Sequence, residues 1–352
     1  MSHKQINAQG QRQDAHTAEL MEIQHTLLVM QDNIKSTKIV VHQLSDLFLA
    51  NIFNQKRETH KPKKSLTAPV TPTLESSSDI DARSDDPQMC GAYVSDIYEY
   101  LREIEVNPKQ RPLHDYIEKV QKDVTASMRG VLVDWLVEIA EEYKLGSETL
   151  YLTVSYVDRF LSLKTVTMET LQLVGLSAMV IGSKYERYTR PPRVEEFGYT
   201  KQEVMEMEAD ILLALRFELG RPTINTFLRR FTRVAQEDFN VPHLELEPLC
   251  CYLSELSILD YENVKFLPSL VAASAVFLAR FIVRPKQDPW NKMLEEYTKY
   301  KAADLQECVG IILDLYLSRR GRGLEAVRNK YKQHKFQCVA TMHVSPELPV
   351  TF

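Results

Sequence analysis

One stretch of this chain occurs twice, and no other feature limits the possible folds as much. Leu270-Val-Ala-Ala-Ser-Ala-Val-Phe-Leu-Ala279 restates Leu173-Val-Gly-Leu-Ser-Ala-Met-Val-Ile-Gly182: leucine, valine, small, any, serine, alanine, two apolar residues, aliphatic, small. A segment apolar around its whole circumference but dotted with Gly, Ala and Ser belongs at the centre of a helical bundle, where small residues let neighbouring helices approach. Two such segments predict two bundles of one plan. With 352 residues, 44% of them hydrophobic, the chain is long enough to build two cores. The copies divide near Gly220, Arg221 and Pro222, after a helix predicted from about 201 to 215, and five helical segments are expected on each side. In the second copy they fall at roughly 223–236, 243–259, 267–283, 289–297 and 302–319. Lys184 ends the first central helix, predicted over about 168–188, where the second has Phe281. A charge in one copy and an aromatic in the other predict different partners for the two.

The first bundle opens with a helix predicted over 127–145. At 3.6 residues per turn, Met128, Val131, Leu132, Trp135 and Ile139 share one face, and Val133, Leu136, Val137 and Ala140 another. Asp134, Glu138 and Glu141 fill the arc between. So much apolar surface is either buried on all sides, or buried on one face and kept for a partner on the other. Thr125 and Ser127 are candidate N-caps. Gly146 supplies the stop and Ser147 a fresh cap, so the next helix, with its stripe Leu150, Val154, Val157 and Leu161, packs antiparallel.

Upstream, Leu20, Ile23, Leu27, Leu28 and Met30 suit a short amphipathic helix, whereas residues 55–87 carry too few large apolar side chains to offset the entropy of ordering. Residues 1–91 are expected to be a largely disordered arm and 341–352 a flexible tail. Lys61, Lys63 and Lys64 read first as a solvated charge run and second as a nuclear-import signal. Order is expected to return near Ala92, with Val94, Ile97, Tyr100, Leu101 and Ile104 at helical spacing. This predicts a short docking helix.

The net charge of -5 gives no basic field for nucleic acid. Five cysteines without a CxxC pair suit a reducing compartment. No run of about 18 apolar residues predicts a membrane span, and the N-terminus has no signal-peptide core. A soluble intracellular protein is expected. No Gly-rich phosphate loop, GxSxG elbow, HExxH helix or metal-spaced Cys and His set occurs. Asp85 and Asp86 fall in the tether, where solvated charge is the default. A duplicated helical fold without a polar constellation points to a binding protein.

Met128-Arg-Gly-Val-Leu-Val-Asp-Trp-Leu-Val-Glu138 resembles the signature helix of the cyclin box. Tyr156-Val-Asp-Arg-Phe-Leu161 and Ser183-Lys-Tyr-Glu186 are similar to its next landmarks. With Asp79-Ile-Asp-Ala-Arg-Ser-Asp-Asp-Pro-Gln-Met89 and Ser95-Asp-Ile-Tyr-Glu-Tyr-Leu-Arg102, the chain resembles the plant A-type cyclins over about residues 79–340. The resemblance implies an all-α protein of two tandem five-helix cyclin folds, 92–220 with its preceding docking helix and 221–340. It also implies a non-catalytic activator of a cyclin-dependent protein kinase, in nucleus and cytoplasm, without cofactor, metal, nucleic acid or membrane. Lys184 and Glu208, with Ile97 and Tyr100, would contact the kinase. Arg129 and Asp158 would form an internal ion pair, and Leu173 would be core. Met128, Val131, Leu132, Trp135, Leu171 and Gln172, with Glu138 beside them, would dock Arg-x-Leu motifs of substrates and inhibitors. A transcription factor or adaptor on the same fold is the alternative, and it would need a basic face or zinc ribbon that the sequence lacks.

Two departures stand out. Relatives are several residues longer between Phe197 and the helix starting near Thr200, so the fourth helix of the first copy is expected to be truncated and kinase binding weakened. No Arg-x-x-Leu tetrad precedes Arg129 and no Lys-Glu-Asn box occurs, which leaves recognition of the arm by a ubiquitin ligase open; Lys38-Ile-Val-Val-His42 is the nearest remnant.

Overall fold

The computed structural model describes residues 93–186, 191–237 and 243–342. The expected arm with its short helix and lysine cluster, Arg187, and the tail from 343 lie outside the described residues. Helices are the sole regular structure within them. A leading helix α1 (Val94–Glu105) precedes α2 (Ala126–Glu142), α3 (Ser147–Leu161), α4 (Met168–Tyr185) and α5 (Lys201–Ala214) of the first copy. The second copy runs α6 (Ile224–Glu237), α7 (Leu246–Leu259), α8 (Pro268–Val283), α9 (Lys292–Thr298) and α10 (Ala302–Tyr316), followed by α11 (Ala326–Tyr331).

The repeated stretches are α4 and α8, and both are buried along most of their length. The small residues do what close packing requires. A Cβ on Gly175 would stand 2.8 Å from a Leu132 methyl, and one on Gly182 3.2 Å from the Thr149 carbonyl, so α2 and α3 reach the α4 backbone itself. The second copy has its five helices. In the first, the fourth is reduced to a 3-10 turn, Val194–Phe197, as the short spacing before Thr200 implied. Gly198, at φ 83°, then turns the chain, and Thr200 and Glu203 close a capping box on α5.

Thr125 is the N-cap of α2: its hydroxyl accepts the Met128 N–H at 3.3 Å, and Ser127 lies inside the first turn. The far end corrects the expectation. Lys144, not Gly146, takes the left-handed conformation, with φ 54°, and the Leu145 N–H returns to the Ala140 carbonyl at 2.8 Å, a Schellman-type closure. With the bend already made, Gly146 takes the N-cap place of α3 and Ser147 is its first helical residue.

α2 packs on α3 and α4 of its own copy and on α7, α11 and the 3-10 turn Tyr261–Lys265 of the second. Its apolar circumference is therefore shared between two bundles. Leu132 and Ile139 are buried, as are Val133, Leu136, Val137 and Ala140. The polar arc is used as well. Asp134 accepts the backbone N–H groups of Glu325 at 3.2 Å and Ala326 at 3.0 Å, so a side chain of the first copy caps a helix after the second. Burial raises its pKa and those N–H groups oppose the rise. Asp134→Ala is expected to cost about 1 kcal/mol, a typical capping loss, measured by urea denaturation, with Asp134→Asn costing less.

α1 docks on the second copy through residues that the periodicity did not single out. The Tyr98 ring meets Phe227 edge-on with centroids 6.0 Å apart, and its hydroxyl donates to the Thr226 carbonyl at 3.2 Å. Arg102 donates to the Thr298 carbonyl and lies over the Tyr300 ring. Glu105 is buried and accepts from Ser269, through N at 3.0 Å and Oγ at 2.6 Å.

Candidate functional site

Docking through Tyr98, Arg102 and Glu105 turns the opposite side of α1 outward. Ile97 and Tyr100 are exposed there, Tyr100 by 62%, on a helix held rigidly from behind. Neither residue belongs to the core stripe by which α1 docks.

Lys184 stands in the last turn of α4 and Glu208 midway along α5. The fold brings them together: the Lys184 Nζ donates to both Glu208 carboxylate oxygens, at 2.8 and 2.7 Å. They line a groove with Val180, Val204, Met205 and the stretch 191–196. The lysine side chain is 57% exposed and the glutamate side chain 10%. Burial raises the Glu208 pKa, more than Lys184 lowers it. A carboxyl whose folded pKa lies above its unfolded value stabilises the fold fully below the unfolded pKa, and that contribution is lost as pH rises through the folded pKa. At neutral pH the ionised Glu208 therefore weighs against stability. Glu208→Gln is expected to leave the thermal midpoint at pH 7 unchanged or higher, and to remove the fall in stability that the native chain undergoes as pH rises through the raised pKa of that carboxyl. Thermal melts of both proteins between about pH 4 and pH 7 check this; a clear destabilisation at pH 7 would make the pair a structural one.

The residues expected to dock Arg-x-Leu motifs divide by burial. Val131 is 58% exposed, Glu138 and Gln172 are exposed, and Met128 and Trp135 are half-buried. Leu132, which fills the space over Gly175, and Leu171 are both buried and present no surface to a ligand. Phe197 stands edge-on to Trp135 with centroids 5.4 Å apart, so the shortened fourth segment covers part of the strip. Gln172 accepts from the Tyr199 hydroxyl at 3.3 Å. An apolar strip with a carboxylate beside it can take a leucine and pair with an arginine or lysine.

Arg129 and Asp158 are buried together. Arg129 donates through Nε to Oδ1 and through Nη2 to Oδ2, both at 2.7 Å, and through Nη1 to the Ile258 carbonyl at 2.8 Å. The Tyr116 hydroxyl completes the site on Asp158 Oδ1 at 2.9 Å. Burial alone lowers the Arg129 pKa, and Asp158 more than offsets it, so the guanidinium stays charged. Leu173, expected in the core, is half-buried instead. It lies in the first turns of α4, where Met168, Glu169, Thr170 and Gln172 are all exposed; continuous burial starts at Val174. A second buried pair has no counterpart among the expected residues. Lys330 donates to both oxygens of Glu255, at 2.8 and 2.9 Å, and the Tyr331 hydroxyl donates to the same carboxylate at 2.9 Å. Glu255, the one charged residue between 248 and 259, was the signal for it.

Among the described residues no cluster of His, Cys, Asp and Glu could hold a metal ion, and no helix is long and apolar enough to cross a membrane. Residues 96–220 match the family model described as the cyclin N-terminal domain, and residues 222–345 that of the cyclin C-terminal domain. The chain is 72% identical over 341 residues to cyclin-A3-2 of Arabidopsis thaliana, covering 91% of each chain. It is 63% identical over 355 aligned positions to cyclin-A3-3 of the same plant, covering 99% of this chain and 96% of the relative. The X-ray structure of a viral cyclin from herpesvirus saimiri superposes with a TM-score of 0.53 at 23% identity, over 62% of this chain and 96% of that one, a likeness of fold.

Proposed function

The chain belongs to the cyclin family, within its plant A type, and we propose that it activates a cyclin-dependent serine/threonine kinase in the control of cell division, in nucleus and cytoplasm. The observation that carries the kinase-facing assignment is the Lys184–Glu208 pair. It lines a groove, leaves the lysine side chain 57% exposed while the glutamate is buried, and burial holds the Glu208 carboxyl above its ordinary pKa. Exposed pairs ordinarily contribute little, so a use outside the fold accounts for it better. With Ile97 and Tyr100 supplying apolar contact, this surface would draw in the kinase's mobile helix until its glutamate pairs with the ATP-binding lysine. The cyclin itself contributes no reacting group. The strip from Met128 to Glu138, with Leu171 and Gln172, would recruit Arg-x-Leu substrates and inhibitors to the assembled kinase.

Reconstitution with an inactive cyclin-dependent kinase subunit and ATP is expected to yield histone phosphorylation. Loss of a hydrogen-bonded charge pair at an interface costs about 2 to 5 kcal/mol. The double variant Lys184→Ala, Glu208→Ala should therefore activate at least about thirtyfold less at limiting cyclin, with its circular dichroism unchanged. Full activation by that variant would sink the site assignment, and no phosphorylation with the native chain would sink the function.

A further inference from the structure

A cleft of about 820 Å³ opens where the first turns of α2 meet the second copy. Its other walls are the stretch 114–118, the 3-10 turn Tyr261–Lys265 and the loop Gly321–Leu324. That loop is fixed against α2. The Leu324 Cδ1 methyl stands 3.3 Å from the place of a Cβ on Gly130 and 3.8 Å from one on Gly321, and Asp134 accepts the N–H groups of the two residues that follow. Arg322 lies between Gly321 and Gly323, which turn the chain in the left-handed region at φ 63° and 88°. It lines the cleft and is exposed.

The cleft continues the docking strip. Ser127, Val131, Trp135 and Glu138 follow one another along one face of α2, and Val131, 58% exposed, belongs to both strip and cleft. From Glu138 back to Gly130, where the Arg322 loop rests, the helix axis advances about 12 Å. An extended peptide covers that in about four residues. A segment whose arginine pairs with Glu138, and whose leucine lies two places on, therefore brings the next few residues to the mouth of the cleft.

The charges there are answered within the chain, with one exception. Asp115 is paired with Lys119 at 2.6 Å, Asp260 and Glu262 with Arg320 at 3.2 and 3.1 Å, and Lys265 with Glu307 at 2.5 Å. Glu118 accepts from the Tyr261 hydroxyl at 3.1 Å, and His114 stands 3.6 Å from Asp115. Arg322 has no charged partner among the described residues. We propose that the cleft receives the residues following the leucine of a docked Arg-x-Leu segment, and that Arg322 favours a carboxylate among them. The inference rests on the docking strip proposed above and gives it a second charge preference, basic before the leucine and acidic after it.

The probes are three fluorescent peptides that share Arg-Ala-Leu-Ala and continue with Glu, Gln or Lys, titrated by anisotropy into the full chain. The Glu peptide should bind about threefold to fivefold tighter than the Gln peptide, the range of an exposed ion pair, and the Lys peptide weaker than both. Raising the salt to about 0.5 M should shrink the gap. Arg322→Gln should close it, and Arg322→Glu should reverse the order of the Glu and Lys peptides. Equal affinities for the Glu and Gln peptides on the native chain, a gap that survives Arg322→Gln, or tightest binding by the Lys peptide would each overturn the inference and leave the strip standing. Failure of all three peptides to bind would overturn the strip, and this inference with it. The comparison among peptides needs no variant to fold.

Discussion

Arg129→Ala is expected to destabilise the protein by about 3 to 5 kcal/mol, the cost of stranding a buried charge. Urea denaturation followed by tryptophan fluorescence measures it. The substitution removes both Arg129 donors from Asp158 and a third from the Ile258 carbonyl, leaving the Tyr116 hydroxyl to donate to the carboxylate. Replacing the pair together, Arg129→Met with Asp158→Leu, should recover most of the loss, since well-packed apolar pairs substitute for buried ion pairs at little net cost. The single variant should also respond to pH in a defined direction. A stranded carboxylate has a raised folded pKa, so its protonation is favoured by folding, and the deficit against the native protein shrinks as pH falls. A loss below about 1 kcal/mol, the range of an exposed pair, would mean that solvent reaches Asp158.

The second large effect separates two residues adjacent in α2. Leu136 is fully buried, and Leu136→Ala should cost about 2 to 5 kcal/mol with no specific loss of docking in whatever fraction stays folded. Trp135 is half-buried against Phe197. Trp135→Ala should cost about 0.5 to 1.5 kcal/mol for the aromatic pair in addition to the apolar area of the half-buried indole, and should leave the chain folded while chiefly abolishing capture of an immobilised Arg-x-Leu peptide. Trp135→Ala that unfolds the chain, or that binds the peptide normally, would remove the strip from the list of functional surfaces.

What could be read in advance followed from how each signal arises. The repeat of α4 in α8 disclosed the duplication because central helices need small residues at fixed places, and that need is written in consecutive letters. The five segments of the second copy were legible because periodicity and breakers agree there. Helix ends were less so: α2 ends at Glu142 and the chain bends at Lys144, a residue type with no special liking for φ 54°, where the backbone closure onto Ala140 makes the turn. The same holds for Leu173, whose composition says core while its place in the first exposed turns of α4 says rim. Residues that act between distant segments left the faintest trace. Asp134 capping α11, Glu105 on Ser269, and Lys330 on Glu255 join positions far apart in sequence. One-dimensional spacing cannot distinguish such a charge from a solvated one. Lys184 and Glu208 came from family resemblance, and their mutual pairing is a product of the fold.

The sharing of α2 between the bundles bears on how the protein comes apart. Gly130 lies under Leu324, Asp134 holds the start of α11, and Arg129 reaches the Ile258 carbonyl, so neither half keeps its full set of interactions when the other melts. Although the chain is a duplication, the gene product should unfold as one cooperative unit rather than in two steps. An ancestral single copy would have had to find this shared helix's second neighbour in another molecule, so the tandem arrangement turns a requirement for association into an intramolecular one.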